Sequence, residues 1–335
     1  MNNTPRRLRG GVVGCGMISE FHLRGWQRIP AVEIVALADP SAAAAESRRA
    51  AFAPDARIYA GIEPMLAAEA LDFVDIITPP WLHAEHCRLA RAANLHVVCQ
   101  KPLCLDLEEA RRLVADMSTS PRLFAVHENH RFRPWFAEVR RRHAAGFFGR
   151  LRYLRVDQFD PYEPAEKFKA EAVRGVTLEY GTHLIDMVRA LLGHPQATFA
   201  RMHTPNPRVR GESLAHITYL YQDATAVVDI AWKAAGLQQG GCLLIGDRGE
   251  AVYEGRLTRD SSSRFRLVSG NEVVLDEVRC PTDDYVDSFY EMERDFAEAI
   301  LANRPPEQTG AENLATLEAT FASYTAAAEG RLVSL

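Results

Sequence analysis

Three places in this 335-residue sequence combine residue types and spacing that suit chemistry. The first is the turn Val12-Val13-Gly14-Cys15-Gly16-Met17-Ile18-Ser19, where an apolar strand ends and a helix opens. Gly14 permits a tight turn, Gly16 lets the backbone approach a pyrophosphate, and Ser19 is small enough for close helix packing. The amides around Met17 and Ile18 would then face phosphates from the positive end of the helix dipole. A glycine pair after a strand also makes a plain turn, and Asp39 separates the two readings. It ends the next strand, about 20 residues on, where an acid accepts hydrogen bonds from the adenosine ribose. A carboxylate there repels a 2′-phosphate and no arginine follows in Asp39-Pro40-Ser41, so NAD is expected over NADP.

The second place is Lys101, just after a predicted parallel strand. Ligands bind outside the carboxyl ends of the strands in open α/β sheets, so a lysine there can bond a reacting oxygen. The third is Glu179, His183 and Asp186, spaced i, i+4 and i+7 on a predicted helix and therefore along one stripe, beside the apolar stripe Leu184, Ile185, Val188 and Leu192. An imidazole flanked by carboxylates takes a hydroxyl proton near neutral pH. The plainer alternative is a surface ion cluster or a histidine that packs the helix.

The elements that must position these groups follow from patterning. A chain this long is expected to form two domains. Apolar runs at Val12-Val13, 32–38, 73–78, 95–99 and 123–126 alternate with helical composition at 18–28, 42–51, 83–93 and 107–117, which reads as a parallel sheet with crossover helices. The pattern then changes. A helix at 135–143, a long strand at 151–159, a polar loop through Ala172, a helix at 178–192, β-rich sequence from Thr198 to Leu275 and two closing helices predict an α+β domain. The expected fold class is thus α/β: a Rossmann doubly wound parallel sheet over residues 1–126, then an α+β domain on a large, mostly antiparallel open sheet over 127–335.

Composition excludes other classes. The net charge of −5 and the short basic clusters Arg6-Arg7-Arg9 and Arg140-Arg141-Arg142 disfavour nucleic-acid binding. No apolar run approaches the length of a membrane span. Arg6-Arg7 is followed by Gly-rich strand sequence rather than an export signal, so the expected location is cytoplasmic. Six scattered cysteines without a C-x-x-C pair read as reduced thiols, and His127-Glu128-Asn129-His130 lacks the i, i+4 spacing of a zinc helix, so no metal is expected.

With these residues in view the sequence resembles the Gfo/Idh/MocA oxidoreductases over nearly its full length. The resemblance rests on the Gly-rich turn, on Ile77-Thr78-Pro79-Pro80-Trp81-Leu82-His83, on Cys99-Gln100-Lys101-Pro102-Leu103 and on the segment Leu178–Asp186. It implies that Thr78, Pro79, Pro80 and His83 line the adenosine and ribose portion of the cofactor, with Gln100 beside it. It implies that Lys101 reaches both the nicotinamide ribose and the substrate, and that an open sheet in the second domain builds a homodimer or homotetramer. The usual Glu-Lys-Pro stands here as Gln100-Lys101-Pro102, and the usual Asp four residues before the histidine stands as Glu179.

The expected reaction moves a hydride from a secondary alcohol of a sugar, polyol, inositol or related small molecule to nicotinamide. His183 removes the hydroxyl proton, Lys101 polarises the oxygen, and Glu179 orients His183 or holds a neighbouring hydroxyl. Asp186 braces the helix end. Asn129, Arg131, Tyr162, Lys167 and Asp186 are expected near the substrate, while Trp135, Lys169 and Trp232 are equally explained by packing or solvation. Two alternatives remain open: an NAD-dependent hydrolase or lyase with transient oxidation, and a non-catalytic dinucleotide sensor.

Overall fold

The computed structural model describes residues 6–164, 167–255 and 262–335. It divides into two compact units, one of residues 1–129 with 286–314 and one of 130–285 with 315–335.

The first unit is a parallel sheet of strands β1 (Leu8–Val13), β2 (Val32–Ala38), β3 (Arg57–Tyr59), β4 (Phe73–Ile76), β5 (His96–Gln100) and β6 (Phe124–His127). Their order, β3-β2-β1-β4-β5-β6, is the doubly wound arrangement with its switch point between β1 and β4. Helices α1 (Ser19–Gln27), α2 (Ala42–Phe52), α3 (Ile62–Ala68), α4 (Pro80–Ala92) and α5 (Leu107–Ser118) make the crossovers. The sheet is covered on both faces, so a central strand such as β4 is buried at every position. Helix starts follow from capping chemistry. Ser41 accepts from the Ala44 amide, Asp106 from the Glu109 amide, and Pro80 occupies the first turn of α4.

β3 and α3 escaped the sequence reading, because a strand of three residues and a helix of seven carry little periodicity. The expected boundary at 126/127 lies close to the observed division at 129/130 but leaves out the return of 286–314. That return is held by long-range contacts. Thr309 bridges to Ala125 beyond the edge of β6, the Val126 amide donates to Gln308, and Phe296 packs edge-on against Phe73.

The second unit contains α6 (Pro134–Ala144), β7 (Leu151–Pro161), α7 (Lys167–Glu171), α8 (Thr182–Leu192), β8 (Ala197–His203), β9 (Leu214–Leu220), β10 (Thr225–Lys233), β11 (Gln239–Gly246), β12 (Gly249–Glu254), β13 (Ser263–Ser269) and β14 (Glu272–Arg279). Beyond β14 run α9 (Pro281–Ala302), α10 (Gly310–Glu329) and β15 (Val333–Ser334), with α9 and α10 each crossing from one unit's residues into the other's. The sheet order is β14-β13-β12-β11-β7-β10-β9-β8-β15, and among the described strands of this sheet only β7 and β10 pair in parallel. One face is apolar. Leu154, Val156, Val228, Ile230, Ile217, Leu244 and Leu267 point inward onto Leu184, Ile185 and Val188 of α8. The opposite face alternates half-buried Val227, Leu243, Ile245 and Val252 with charge. No helix among the described residues is long and apolar enough to cross a membrane.

Candidate active site

In the first unit the glycine turn is shaped by its backbone. Gly14 has φ +101°, and a Cβ on it would stand 2.7 Å from the Ile77 carbonyl, so no other residue fits without strain. At Gly16 a Cβ would meet nothing within 4 Å. The open space beside this glycine fits the close approach of a pyrophosphate. The Ser19 hydroxyl donates to the Gly16 carbonyl at 2.6 Å and Ile18 supplies no side-chain cap, so the first turn of α1 faces outward with its dipole. Exposed Met17 covers that end.

Asp39 stands where the ribose acid was expected. One of its oxygens accepts from the Cys15 amide at 2.8 Å and the other from the Ser41 amide at 2.7 Å, and each retains a lone pair for a further donor. Arg48 was not foreseen. It reaches from α2 to Ser19 Oγ, the Gly16 carbonyl and Glu20, tying the turn to the next helix.

His83 is enclosed by backbone. The ring is fully buried, with the Thr78 carbonyl 2.7 Å from Nε2 and the Pro102 and Leu103 carbonyls at 3.0 and 3.3 Å from Nδ1. His83 thus packs between the Thr78-Pro79-Pro80 turn and the Lys101-Pro102-Leu103 turn, and as a neutral ring it donates to one of these carbonyl groups. Burial pushes its pKa down to about 4 against the raising effect of those carbonyls. Thr78 and Pro79 remain at the carboxyl end of β4, and Lys101 follows β5 directly, joined to Pro102 by a cis peptide. Gln100 is likewise turned inward and nearly buried. Its Oε1 accepts the Lys101 amide at 2.6 Å and its Nε2 lies 2.9 Å from Nε2 of His22.

In the second unit the helix expected over 178–192 is two structures. Thr177–Gly181 is a π-helical turn and α8 begins at Thr182. Glu212 holds the start of that turn, its carboxylate accepting from the amides of Gly175 and Thr177 at 2.8 and 2.9 Å. The wider turn breaks the i, i+4, i+7 stripe. Glu179 lies half-buried in the π turn with Lys169 at 3.4 Å. His183 is buried on α8, its ring stacked on His130 with centroids 3.9 Å apart and edge-on to Tyr180.

Asp186 is fully buried in a two-pronged pair with Arg131, both bonds 2.6 Å. Thr316 donates to the same carboxylate at 3.0 Å and accepts from Arg189 at 2.7 Å. The polar face expected on this helix is thus a buried ion-pair network. Arg131 and Asp186, expected near the substrate, hold α8 to the turn at Asn129–Phe132.

The remaining substrate expectations scatter. Asn129 donates to Ser288 in the first unit's core. Tyr162 stacks on Trp232 at 4.1 Å. Lys167 is an exposed partner of Glu171 on α7. Trp135 is core, stacked on Tyr253. His22, Asp75, Arg48, Glu212 and His130 were missed. Asp75 had a signal, since an acid inside the apolar run Phe73-Val74-Asp75-Ile76 needs a buried partner.

The model of an oxidoreductase family with an NAD-binding Rossmann fold matches residues 8–128, and the GFO/IDH/MocA C-terminal domain matches 136–252. The chain belongs to the GFO/IDH/MocA family. It is 30% identical to a D-apiose dehydrogenase of Paraburkholderia graminis, over 99% of this chain and 91% of that protein. It is 31% identical to an inositol 2-dehydrogenase of Rhizobium meliloti, over 56% and 55% of the two chains. In fold it matches an oxidoreductase from Agrobacterium radiobacter solved with NAD+, L-tartaric acid and magnesium, with TM-score 0.87, 22% identity and 98% coverage of both chains. This GFO/IDH/MocA member is therefore an NAD-dependent oxidoreductase acting on CH–OH groups, among relatives named for a sugar and for inositol.

Proposed function

We propose that the protein oxidises a secondary alcohol of a small sugar or polyol, with Lys101 and His183 acting on the reacting hydroxyl. The observation that carries the reading is the cofactor end: Gly14 at a positive φ, an open Gly16 and the carboxylate of Asp39 after β2, with Lys101 following β5 of the same sheet. NAD, when bound, supplies the hydride acceptor at nicotinamide C4. Lys101 donates to the substrate oxygen and favours its developing negative charge. His183 takes the hydroxyl proton, its ring orientation fixed by the stack on His130. Glu179, in the π turn, accepts from a neighbouring hydroxyl, with the Lys169 ammonium 3.4 Å from its carboxylate.

Asp39 selects NAD by repelling a 2′-phosphate. D-Apiose is the first substrate to test, given the full-length relative, and myo-inositol the second. A homodimer or homotetramer formed through the open face of the nine-stranded sheet suits the half-buried Val227, Leu243, Ile245 and Val252 there, and light scattering on the eluted protein measures it. Free, mostly buried thiols suit a reducing cytoplasm.

The functional test is a panel of aldoses, polyols and sugar acids assayed with NAD and NADP, with Lys101→Ala as the blank. NAD-dependent turnover of a sugar or polyol that the blank lacks is expected. Wild-type turnover retained by both Lys101→Ala and His183→Ala would refute the assignment.

A further inference from the structure

Behind Lys101 lies a buried polar cluster in the first unit that the reaction does not use directly. It consists of His22 on α1, Asp75 on β4, Gln100 on β5, His127 on β6 and Glu293 on α9, with His22, Asp75 and His127 fully buried. The ligand atoms of His22, His127 and Glu293 lie within 4.8 Å of one another, which invites a metal ion. The hydrogen bonds assign the cluster differently.

The Lys101 amide can only donate, so the Gln100 atom 2.6 Å from it is the carbonyl oxygen. The Gln100 NH2 group therefore faces His22 Nε2 at 2.9 Å, and that nitrogen must accept. The ring proton is left on Nδ1, which donates to Asp75 Oδ2 at 2.9 Å, beside the Trp26 indole N–H at 2.8 Å on the same oxygen. A nitrogen that carries a proton has no lone pair for a metal. Glu293 Oε1 lies 3.6 Å from both His22 Nδ1 and His127 Nε2, and neither of its oxygens makes a hydrogen bond among the described residues. At 3.6 Å it is too far to take the Nδ1 proton from Asp75 at 2.9 Å, and burial, which raises its pKa, disfavours its charged form as a competitor. Gly25 makes room for it, since a Cβ there would collide with the Glu293 carboxylate.

We propose that His22 is a positioning residue for this enzyme, fixing Gln100 and through it the backbone of Lys101, with Asp75 fixing the His22 tautomer. The proposal rests on the reading that Lys101 acts on the substrate. It also accounts for the Gln in place of Glu before Lys101. A glutamine offers an acceptor and a donor at once, which matches a ring locked as Nδ1–H. A carboxylate at 100 would face the Nε2 lone pair and require a second proton on His22.

Two measurements test the proposal. Long-range proton–nitrogen correlation on 15N-histidine-labelled enzyme reads the His22 tautomer, assigned with His22→Gln. Nδ1–H with bare Nε2 is expected, turning to an imidazolium in Gln100→Glu, and the Nε2–H tautomer in the wild type overturns the proposal. In kinetics, His22→Leu is expected to lower kcat by about 10- to 100-fold through misplacement of Lys101, with NAD affinity little changed. His22→Gln presents the same acceptor and donor and is expected to recover most of that loss. Equal kcat in the two variants overturns the positioning role. Should His22→Leu fail to fold, the tautomer and the Gln100→Glu response still decide. If Lys101→Ala keeps turnover, the parent reading fails. If Lys101→Ala is inactive while His22→Leu matches His22→Gln, only the present inference fails.

Discussion

The glycine turn of the first unit and the helix α8 of the second were both singled out by residue spacing, and only one of them has the geometry that its spacing predicts. At the turn, the demands fall on residue types that the sequence shows. Gly14 must adopt a positive φ beneath the Ile77 carbonyl, and Asp39 reaches the amide two residues on while closing against Cys15. Around α8 the deciding partners lie far along the chain. Arg131 is 55 residues from Asp186, Glu212 is 35 from Thr177, and Thr316 is 130 from Asp186. The cradle announces itself in residue types, a glycine pair after β1 and an acid after β2, whereas the setting of a buried ionisable helix depends on which partners meet it after folding.

The contrast can be broken in order of size. Lys101→Ala and His183→Ala are each expected to lower kcat/KM by about 10²- to 10⁴-fold, as loss of a proton-transfer group does. Both should keep NAD binding, as read by nucleotide fluorescence quenching. A loss at one position alone would confine the chemistry to a single unit. The double variant should lose little beyond the worse single one, because groups acting on one oxygen are not additive.

Next comes stability. Arg131→Leu leaves the buried Asp186 charge without its guanidinium and is expected to cost about 3–5 kcal/mol in urea unfolding. Adding Asp186→Leu to it should restore much of that loss. If Arg131→Leu is mild and instead weakens substrate binding, the pair belongs to the substrate after all.

His83 gives a pH signature to the first unit. Its pKa is about 4 in the fold against 6.5 unfolded, so the unfolded chain binds more protons between these values. Its contribution is complete above pH 6.5 and is lost as pH falls toward 4, by up to about 3 kcal/mol. His96, also pushed down to about 4 by burial, acts in the same direction. Thermal unfolding followed from pH 7 to 4 should decline less steeply in His83→Gln.

The smallest effects come from the two glycines. Gly14→Ala is expected to cost about 1–3 kcal/mol from the disfavoured φ and the contact with Ile77. Gly16→Ala should change folding stability by less than about 1 kcal/mol, because its Cβ meets nothing, while weakening NAD binding. Equal damage to folding at both positions would mean that the turn serves structure alone.

Much of the fold was legible because it rests on periodicity: buried parallel strands, crossover helices and an antiparallel second sheet. Of the candidate site, the strand ends were legible: Gly14 follows β1, Asp39 follows β2 and Lys101 follows β5. The protein partners of His83 and Gln100 were not legible, since a ring or an amide in a motif does not reveal which carbonyl or imidazole will face it. The π turn at Thr177–Gly181 was invisible, because one residue too many in a helical turn leaves the composition unchanged. The His22–Asp75 pair had half a signal, the lone acid in β4, and no hint of its partner on α1.

The most direct test of the account is the stoichiometry of hydride transfer with the first sugar or polyol that reacts. One NADH formed for each substrate oxidised, with a slower rate when the carbinol hydrogen is deuterium and no turnover in Lys101→Ala, is the predicted result. Product accumulating without net NADH, or NAD bound tightly with no reaction across the panel, would contradict it.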